Sequence, residues 1–596
     1  MERNTIAIQD GAEDTILDDR IHRLASHVTA EHVAYLLIAV LAGIMRFTDL
    51  GLAPLSPVEA SEALSVWQQW LPGNLVVAPV SPAYFTLTAF LTQVVGFSDS
   101  IMRLIPALFG FALVLTPWFL RHRTGRTGAL ITALLFALSP LLVATSRTAG
   151  GQSIALIAAM VVLISWLRYQ ETSDRRWLYS LAAALALGLT SASLFTGIIV
   201  TLVVAWLVQH TIGPALIRDD DGQQASLVRP SRKELLTAVV IGGVTFLGLA
   251  TAMMFALRGV GSSFDLFADW LSNFQITKSS YLISGPFVVL ARYEVGIVLI
   301  GLPAAVWAAV KEKAFPLFLV YWALGSLLLV FVQQGTPSTV LLLSLPGSLL
   351  VGRFANDILD RPSSSWWWAF ALVILLVGGI FYLNLVRYAR LAGLQGVPDP
   401  TYHLLIAFLA ILATVILTFF LISWDRAAAS KGLISGVLAV LLIFTWGSAW
   451  YLSHQAINDT RERWIEQGTT HDIRLIRETL EELSWQVDNS VDDVMLASAI
   501  DSPALRWYLR DFSNATFATA LTAPSTSPVL ITPTDYDPEV GNNYIGAEYS
   551  YAYPNMIHTL SASDALRWWL FHQSPVPISR QQLILWFRSD LAKATS

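Results

Sequence analysis

The feature that most constrains this chain is a repeated length. Apolar runs of about 20 residues, the length a helix needs to cross a bilayer, recur near 32–50, 101–120, 127–146, 152–168, 177–192, 194–212, 234–257, 286–310, 314–333, 339–356, 366–387, 403–423 and 432–452. Composition enters as a check. Only 13% of the 596 residues are charged and 55% are apolar, whereas soluble chains carry roughly 25% charged residues. That little charge cannot coat the several domains a soluble chain of this length would form. A soluble enzyme, a coiled coil and a disordered chain are excluded. The pattern predicts an all-α polytopic membrane bundle of about 13 transmembrane helices.

Other totals bound the function. The net charge of −6 gives no basic footprint for nucleic acid. With no cysteine, there is neither a disulfide framework nor a thiolate metal site. Histidines such as His32, His122, His403, His454, His471 and His558 are scattered without ligand spacing. Segment 1–31 is polar and acidic and lacks the basic-then-apolar order of a cleaved leader, so the first apolar run is expected to stay as a span.

Basic residues set the orientation, because short cytoplasmic loops are rich in Lys and Arg. If the stretch 82–97 does not cross and the N-terminus is cytoplasmic, 19 of the 37 basic residues fall inside, against eight at the short outer segments. If 82–97 crossed, the bias would reverse. The segment is therefore expected to be a juxtamembrane or re-entrant helix on the outer face. Three regions follow: a cytoplasmic segment 1–31, a transmembrane domain 32–452 with a large outer loop 51–100, and an extracytoplasmic domain 453–596.

The last region reads as a small α/β domain. Ile473 to Trp485 has helical spacing with a charged opposite face, and Ser502-Pro503 opens a second helix. Residues 493–498, 516–521, 529–532 and 583–588 read as strands, and 564–571 as a helix. The alternation suggests a doubly wound fragment. It carries no phosphate loop and no nucleophile elbow, which favours a lid or recognition role.

Chemistry is more legible in the first loop, Arg46-Phe-Thr-Asp-Leu-Gly-Leu-Ala-Pro-Leu-Ser-Pro-Val-Glu59-Ala-Ser-Glu62. Pro54 and Pro57 interrupt helix, and Ser56-Pro57 followed by Glu59 and Glu62 is a helix start. The two acids either complement the helix dipole or serve a reaction. The spans themselves are nearly free of acids, which argues against a proton-coupled transporter. Glu294 beside Arg292 reads as a local ion pair at a span end.

These segments resemble the polyprenyl-phosphate-sugar glycosyltransferases of the GT-C fold, which include protein O-mannosyltransferases and lipid A aminoarabinose transferases. The likeness lies in Met45-Arg-Phe with Leu50-Gly-Leu-Ala-Pro-Leu-Ser-Pro-Val-Glu-Ala60, Ser81-Pro-Ala-Tyr84, Arg103-Leu-Ile-Pro-Ala-Leu-Phe-Gly110 and Ala137-Leu-Ser-Pro140 to Arg147. Arg506-Trp-Tyr-Leu-Arg-Asp-Phe512 resembles a segment of a prokaryotic subgroup linked to surface glycosylation. The resemblance implies a sugar moved from a polyprenyl-phosphate donor to a protein or glycolipid acceptor on the outer face of a prokaryotic cell membrane. Membrane lipids would surround the chain and no cofactor is implied; a metal is compatible with acid pairs in this fold, but with Val58 and Gln152 none is expected.

Members of the family carry an Asp-Glu pair in this loop; the matching pair here is Val58-Glu59. A second acid, common in members between spans three and four, is absent from Ser146-Arg-Thr-Ala-Gly-Gly-Gln152. The candidate catalytic residues are Glu59 and, in reserve, Glu62. Arg46, Arg103 and Arg147 lie at the outer boundary, where guanidinium groups suit a lipid phosphate; Tyr84 and Lys278 are further donor-binding candidates. The departures keep two alternatives open: a non-catalytic relative serving a glycan pathway as an accessory or binding subunit, and a lipid-linked sugar transporter.

Overall fold

In hydrocarbon every backbone N–H and C=O must be satisfied within its own segment, so apolar runs become helices. The structure, a computed structural model, describes residues 29–71, 78–211, 228–274, 284–311, 313–333, 337–392, 399–518, 527–536, 543–554, 562–572, 574 and 577–589. The first span is α1 (Ala30–Phe47), followed by two shorter helices, α2 (Pro57–Gln68) and α3 (Pro82–Val95). Next come α4 (Asp99–Leu115), prolonged through a 3-10 turn to Thr124, and a pair bent by 59°, α5 (Arg126–Leu138) and α6 (Pro140–Ser146). Then follow α7 (Gln152–Thr172), α8 (Arg175–Leu189), α9 (Ser193–Thr211), α10 (Arg232–Ala250) and α11 (Gly259–Ser272). A second bent pair, α12 (Ser284–Tyr293) and α13 (Val295–Lys311), turns by 96°. The bundle ends with α14 (Ala314–Val332), α15 (Leu341–Leu359), α16 (Trp367–Leu391), α17 (Thr401–Trp424) and α18 (Arg426–Trp450).

Among the described residues ten helices are long and apolar enough to cross a membrane, or twelve if each bent pair is one span. The remaining apolar run, 177–192, forms α8, whose 15 residues reach only about 22 Å at 1.5 Å per residue. Helix α3 is shorter still, with 14 residues, in keeping with a segment that does not cross. Helix α15, buried on nearly every side, lies at the centre of the bundle. Helices α16 and α17 instead leave Leu376, Phe408 and Phe419 exposed on outward faces that lipid would cover.

The C-terminal region folds on one six-stranded sheet, β1 (Gly468–Thr469), β2 (Leu496–Ser498), β3 (Ala515–Phe517), β4 (Val529–Pro533), β5 (Tyr544–Tyr553) and β6 (Gln581–Arg588), in the order β1-β5-β6-β4-β2-β3. Its helices are α19 (Asp472–Asp488), α20 (Pro503–Tyr508) and α21 (Ala562–Phe571). The sheet is mixed rather than doubly wound. Strand β2 pairs parallel with β3 and β4, while β4–β6, β5–β6 and β1–β5 are antiparallel. Strand β5, the longest, is absent from the sequence reading because Gly546, Ala547 and Glu548 lower the β-propensity of its first half.

Helix α21 keys this domain into the bundle. Trp569 donates to the Ala291 carbonyl at 2.9 Å and stacks on Phe444, and Arg567 donates to the Ala389 carbonyl at the end of α16. The expected Arg292–Glu294 pair does not form, because the 96° turn between α12 and α13 sends the side chains apart. Buried Arg292 donates to His572, which also bonds Glu462 at 2.6 Å, while Glu294 accepts from Ser139 and Ser344.

Candidate functional site

Helix α2 starts where its sequence says it should. Ser56 is the N-cap, Pro57 occupies the first turn, and Glu59 closes a capping box by accepting the Ser56 amide at 2.9 Å. The Glu59 side chain then does more than cap. Its Oε1 accepts from Arg103 Nε at 2.7 Å and from the Ala149 amide at 2.9 Å, while Oε2 also accepts from Arg103 Nη2 at 2.8 Å. A carboxylate has about four lone-pair sites, and all four are filled here. Burial pushes the Glu59 carboxyl up, but Arg103 and the amides of Ser56 and Ala149 outweigh it and hold the group below its usual range. Glu59, the first-choice base of the sequence reading, is thus an ion-pair partner of Arg103 with each of its lone-pair sites engaged.

The three boundary arginines are committed as well. Arg103 donates to the carbonyls of Leu50, Ala53 and Pro54 besides Glu59. Arg46 donates to Phe136 at 2.8 Å and Ala137 at 3.2 Å, in the last turn of α5. Phe136 is four residues before Pro140, which has no N–H to give it, so Arg46 supplies the missing donor. Arg147 reaches the carbonyls of Met45, Arg46, Thr48 and Asp49 at the end of α1, and that of Ser453. A cation there also complements the helix dipole. Each arginine fastens a helix end or the loop ahead of α2 and is 5% exposed or less, and Arg46 Nε is buried without a hydrogen-bond partner. Lys278 lies outside the described residues.

Glu62 differs. It is 4% exposed and meets no cation. Its bonds come from Ser81, whose hydroxyl donates to Oε1 at 2.5 Å and whose amide donates to Oε2 at 3.3 Å. Burial pushes the Glu62 carboxyl up to about 7, the Ser81 bonds offsetting only part of that. Tyr84 packs beside it, fully buried, its hydroxyl donating to the Met102 carbonyl at 2.8 Å. That bond makes Tyr84 a wall of the site. The loop after α6 closes the other side. A Cβ on Gly150 would stand 3.8 Å from Glu62 Oε1, and its φ of +146° suits glycine alone. Glu59 and Glu62 therefore both abut the Ala149-Gly150-Gly151 loop, the stretch in which the sequence lacks an acid.

Sequence reasoning missed Asp99. It accepts from Trp507 Nε1 at 3.0 Å, from the Tyr508 hydroxyl at 2.6 Å and from Arg474 Nη2 at 2.7 Å. The Trp507-Tyr508 pair of the segment singled out above is thus a grip on the start of α4. Only the segment's aromatic density hinted at this; its partner is about 400 residues away. Val58, where the resemblance implies an Asp, is 62% exposed. Among the described residues no group of three or more His, Asp or Glu side chains could hold a metal ion.

A family model described as dolichyl-phosphate-mannose-protein mannosyltransferase matches residues 78–220. No curated protein matches the chain. Among solved structures, ArnT from Cupriavidus metallidurans in the apo state is similar with a TM-score of 0.53 at 13% identity, over 94% of this chain and 99% of that one. The same protein bound to undecaprenyl phosphate gives 0.53 at 12% identity, over 94% and 98%. The expected GT-C fold is the fold of this chain, and the chain is an integral membrane protein.

Proposed function

We propose that the chain is a membrane glycosyltransferase that moves a sugar from a polyprenyl-phosphate donor to a protein or glycolipid acceptor at the outer face, with Glu62 as the base. Glu62 itself is the observation that carries the reading. It is the buried carboxyl of the first loop without a cation, and it exchanges its proton near neutrality, where a general base is most effective. In the reaction the acceptor's hydroxyl or amine attacks the anomeric carbon. The bond from that carbon to the phosphate oxygen breaks, polyprenyl phosphate leaves, and the acceptor proton passes to Glu62. Support comes from the fold shared with ArnT bound to undecaprenyl phosphate and from a family match that begins just before Ser81. We assign Glu59, Arg46, Arg103 and Arg147 to holding the loop in place, and Tyr84 to the wall. The excess of basic residues on alternate loops supports a cytoplasmic N-terminus and an outward C-terminal domain.

A second reading, a non-catalytic relative that binds lipid-linked sugar, is favoured by the three occupied arginines and by Val58 in the exposed position. Both are tested with purified protein in vesicles supplied with polyprenyl-phosphate sugars together with protein and glycolipid acceptors, reading release of polyprenyl phosphate. The wild type is expected to release it, and Glu62→Gln to be slower by about 10²-fold or more. Undiminished release by Glu62→Gln removes the base assignment. Binding without release by the wild type favours the second reading.

A further inference from the structure

The segment just ahead of α2 contains no regular structure, so its backbone groups must find partners elsewhere. They find side chains. The Gly51 and Leu52 carbonyls accept from Arg474 at 2.8 and 3.0 Å. The Ala53 carbonyl accepts from Arg103 at 2.8 Å, and that of Pro54 from Arg103 at 3.1 Å and Asn458 at 3.0 Å. The Leu55 amide donates to the Tyr508 hydroxyl at 3.0 Å. Arg474, Asn458 and Tyr508 all belong to the chain after α18. The next residue, Ser56, caps the helix that carries Glu62.

Asp99 binds this arrangement together. Tyr508 accepts from Leu55 and donates to Asp99, and Arg474 bridges Asp99 and Gly51. Asp99 opens α4, and one turn later on the same face stands Arg103, which holds Glu59. Segment 51–55 is thus clamped between α4 and the C-terminal domain.

We propose that the C-terminal domain is a splint for the first loop, in which Tyr508 and Arg474, gathered by Asp99, are positioning residues that fix α2 and keep Glu62 closed off from water. This rests on the reading of Glu62 as the base. The domain acts on the site through this segment and through α20, whose Leu505, Trp507 and Tyr508 share one buried cluster with Ala60, Ala63 and Leu64 of α2, and this assigns a purpose to the Trp507-Tyr508 pair.

The test reads Glu62 directly, without a turnover assay. Dicyclohexylcarbodiimide modifies carboxyls that are protonated in apolar surroundings, and peptide mass spectrometry locates the adduct. The full-length protein is labelled across a pH series on either side of neutrality. In the wild type, labelling of Glu62 is expected to be half-maximal near pH 7. Tyr508→Phe and Arg474→Gln, each freeing part of the segment and admitting water, are expected to lower that midpoint by about one pH unit. Arg506→Gln serves as the control, because Arg506 pairs with Asp501 at 2.5 Å and makes no bond to the segment. Its midpoint is expected to equal that of the wild type. An unchanged midpoint in both Tyr508→Phe and Arg474→Gln, with thermal stability retained, overturns the splint. The base assignment fails separately, through undiminished release by Glu62→Gln, whatever the midpoints do.

Discussion

Replacing each loop acid by its amide should have opposite consequences, although the two stand one turn apart. In Glu59→Gln the amide nitrogen must face one of two donor pairs, Arg103 Nε with the Ala149 amide or Arg103 Nη2 with the Ser56 amide. Whichever way it turns, donor meets donor, and Arg103, 1% exposed, loses its counter-charge. Removing one partner of a buried pair costs about 3–5 kcal/mol. Glu62→Gln removes no counter-charge. Its amide can accept the Ser81 N–H and donate to the Ser81 hydroxyl. The wild-type carboxyl, raised from 4.5 to about 7, binds its proton more tightly folded than unfolded. Stability therefore falls as pH rises from the unfolded value to about 7 and stays reduced above it, by about 3 kcal/mol at 1.36 kcal/mol per unit. Thermal denaturation of purified protein in one detergent measures both effects. At pH above about 8 the expected order of stability is Glu62→Gln at or above the wild type, and Glu59→Gln far below. In acid, Glu62→Gln and wild type should converge. A Glu62→Gln protein less stable than Glu59→Gln would refute the contrast.

Further outcomes follow from the same contacts. Sugar transfer should fall as pH drops below about 7, where Glu62 takes up its proton, and should level off above; a rate that is flat through this range contradicts the base role. Arg147→Met leaves the carbonyls at the end of α1 without donors and should destabilise the protein by a few kcal/mol, about 1–3 for each group left unmet, read as a lowered denaturation temperature. Val58→Asp changes an exposed position, so stability should stay within about 0.5 kcal/mol, while release of polyprenyl phosphate should rise if the site is limited by the missing acid.

Local signals were legible in the sequence. Ser56-Pro57 with Glu59 three residues after the cap set the start of α2, and the apolar runs located all the spans found, because both depend on neighbours along the chain. What separates Glu59 from Glu62 was not legible. Arg103 lies 44 residues from Glu59, and Ser81 lies 19 from Glu62; neither spacing is a local pattern. The boundary arginines invited a phosphate-binding reading because they sit at the right depth. Their occupation by carbonyls depends on which helix ends the fold brings together. One clue was present: Pro140 deprives Phe136 of its donor, so a donor from elsewhere had to be found. Glu294 beside Arg292 misled for the opposite reason, since adjacency in sequence says nothing about a 96° turn between the two.

The central claim is that Glu62 holds a buried proton which it exchanges near neutrality. Difference infrared spectra of wild type against Glu62→Gln, recorded over a pH series, isolate the carbonyl stretch of the protonated carboxyl. The expected band disappears with a midpoint near pH 7 and is unaffected in Glu59→Gln protein that remains folded. A Glu62 that stays ionised well into the acid range, with no such band near neutrality, would contradict it.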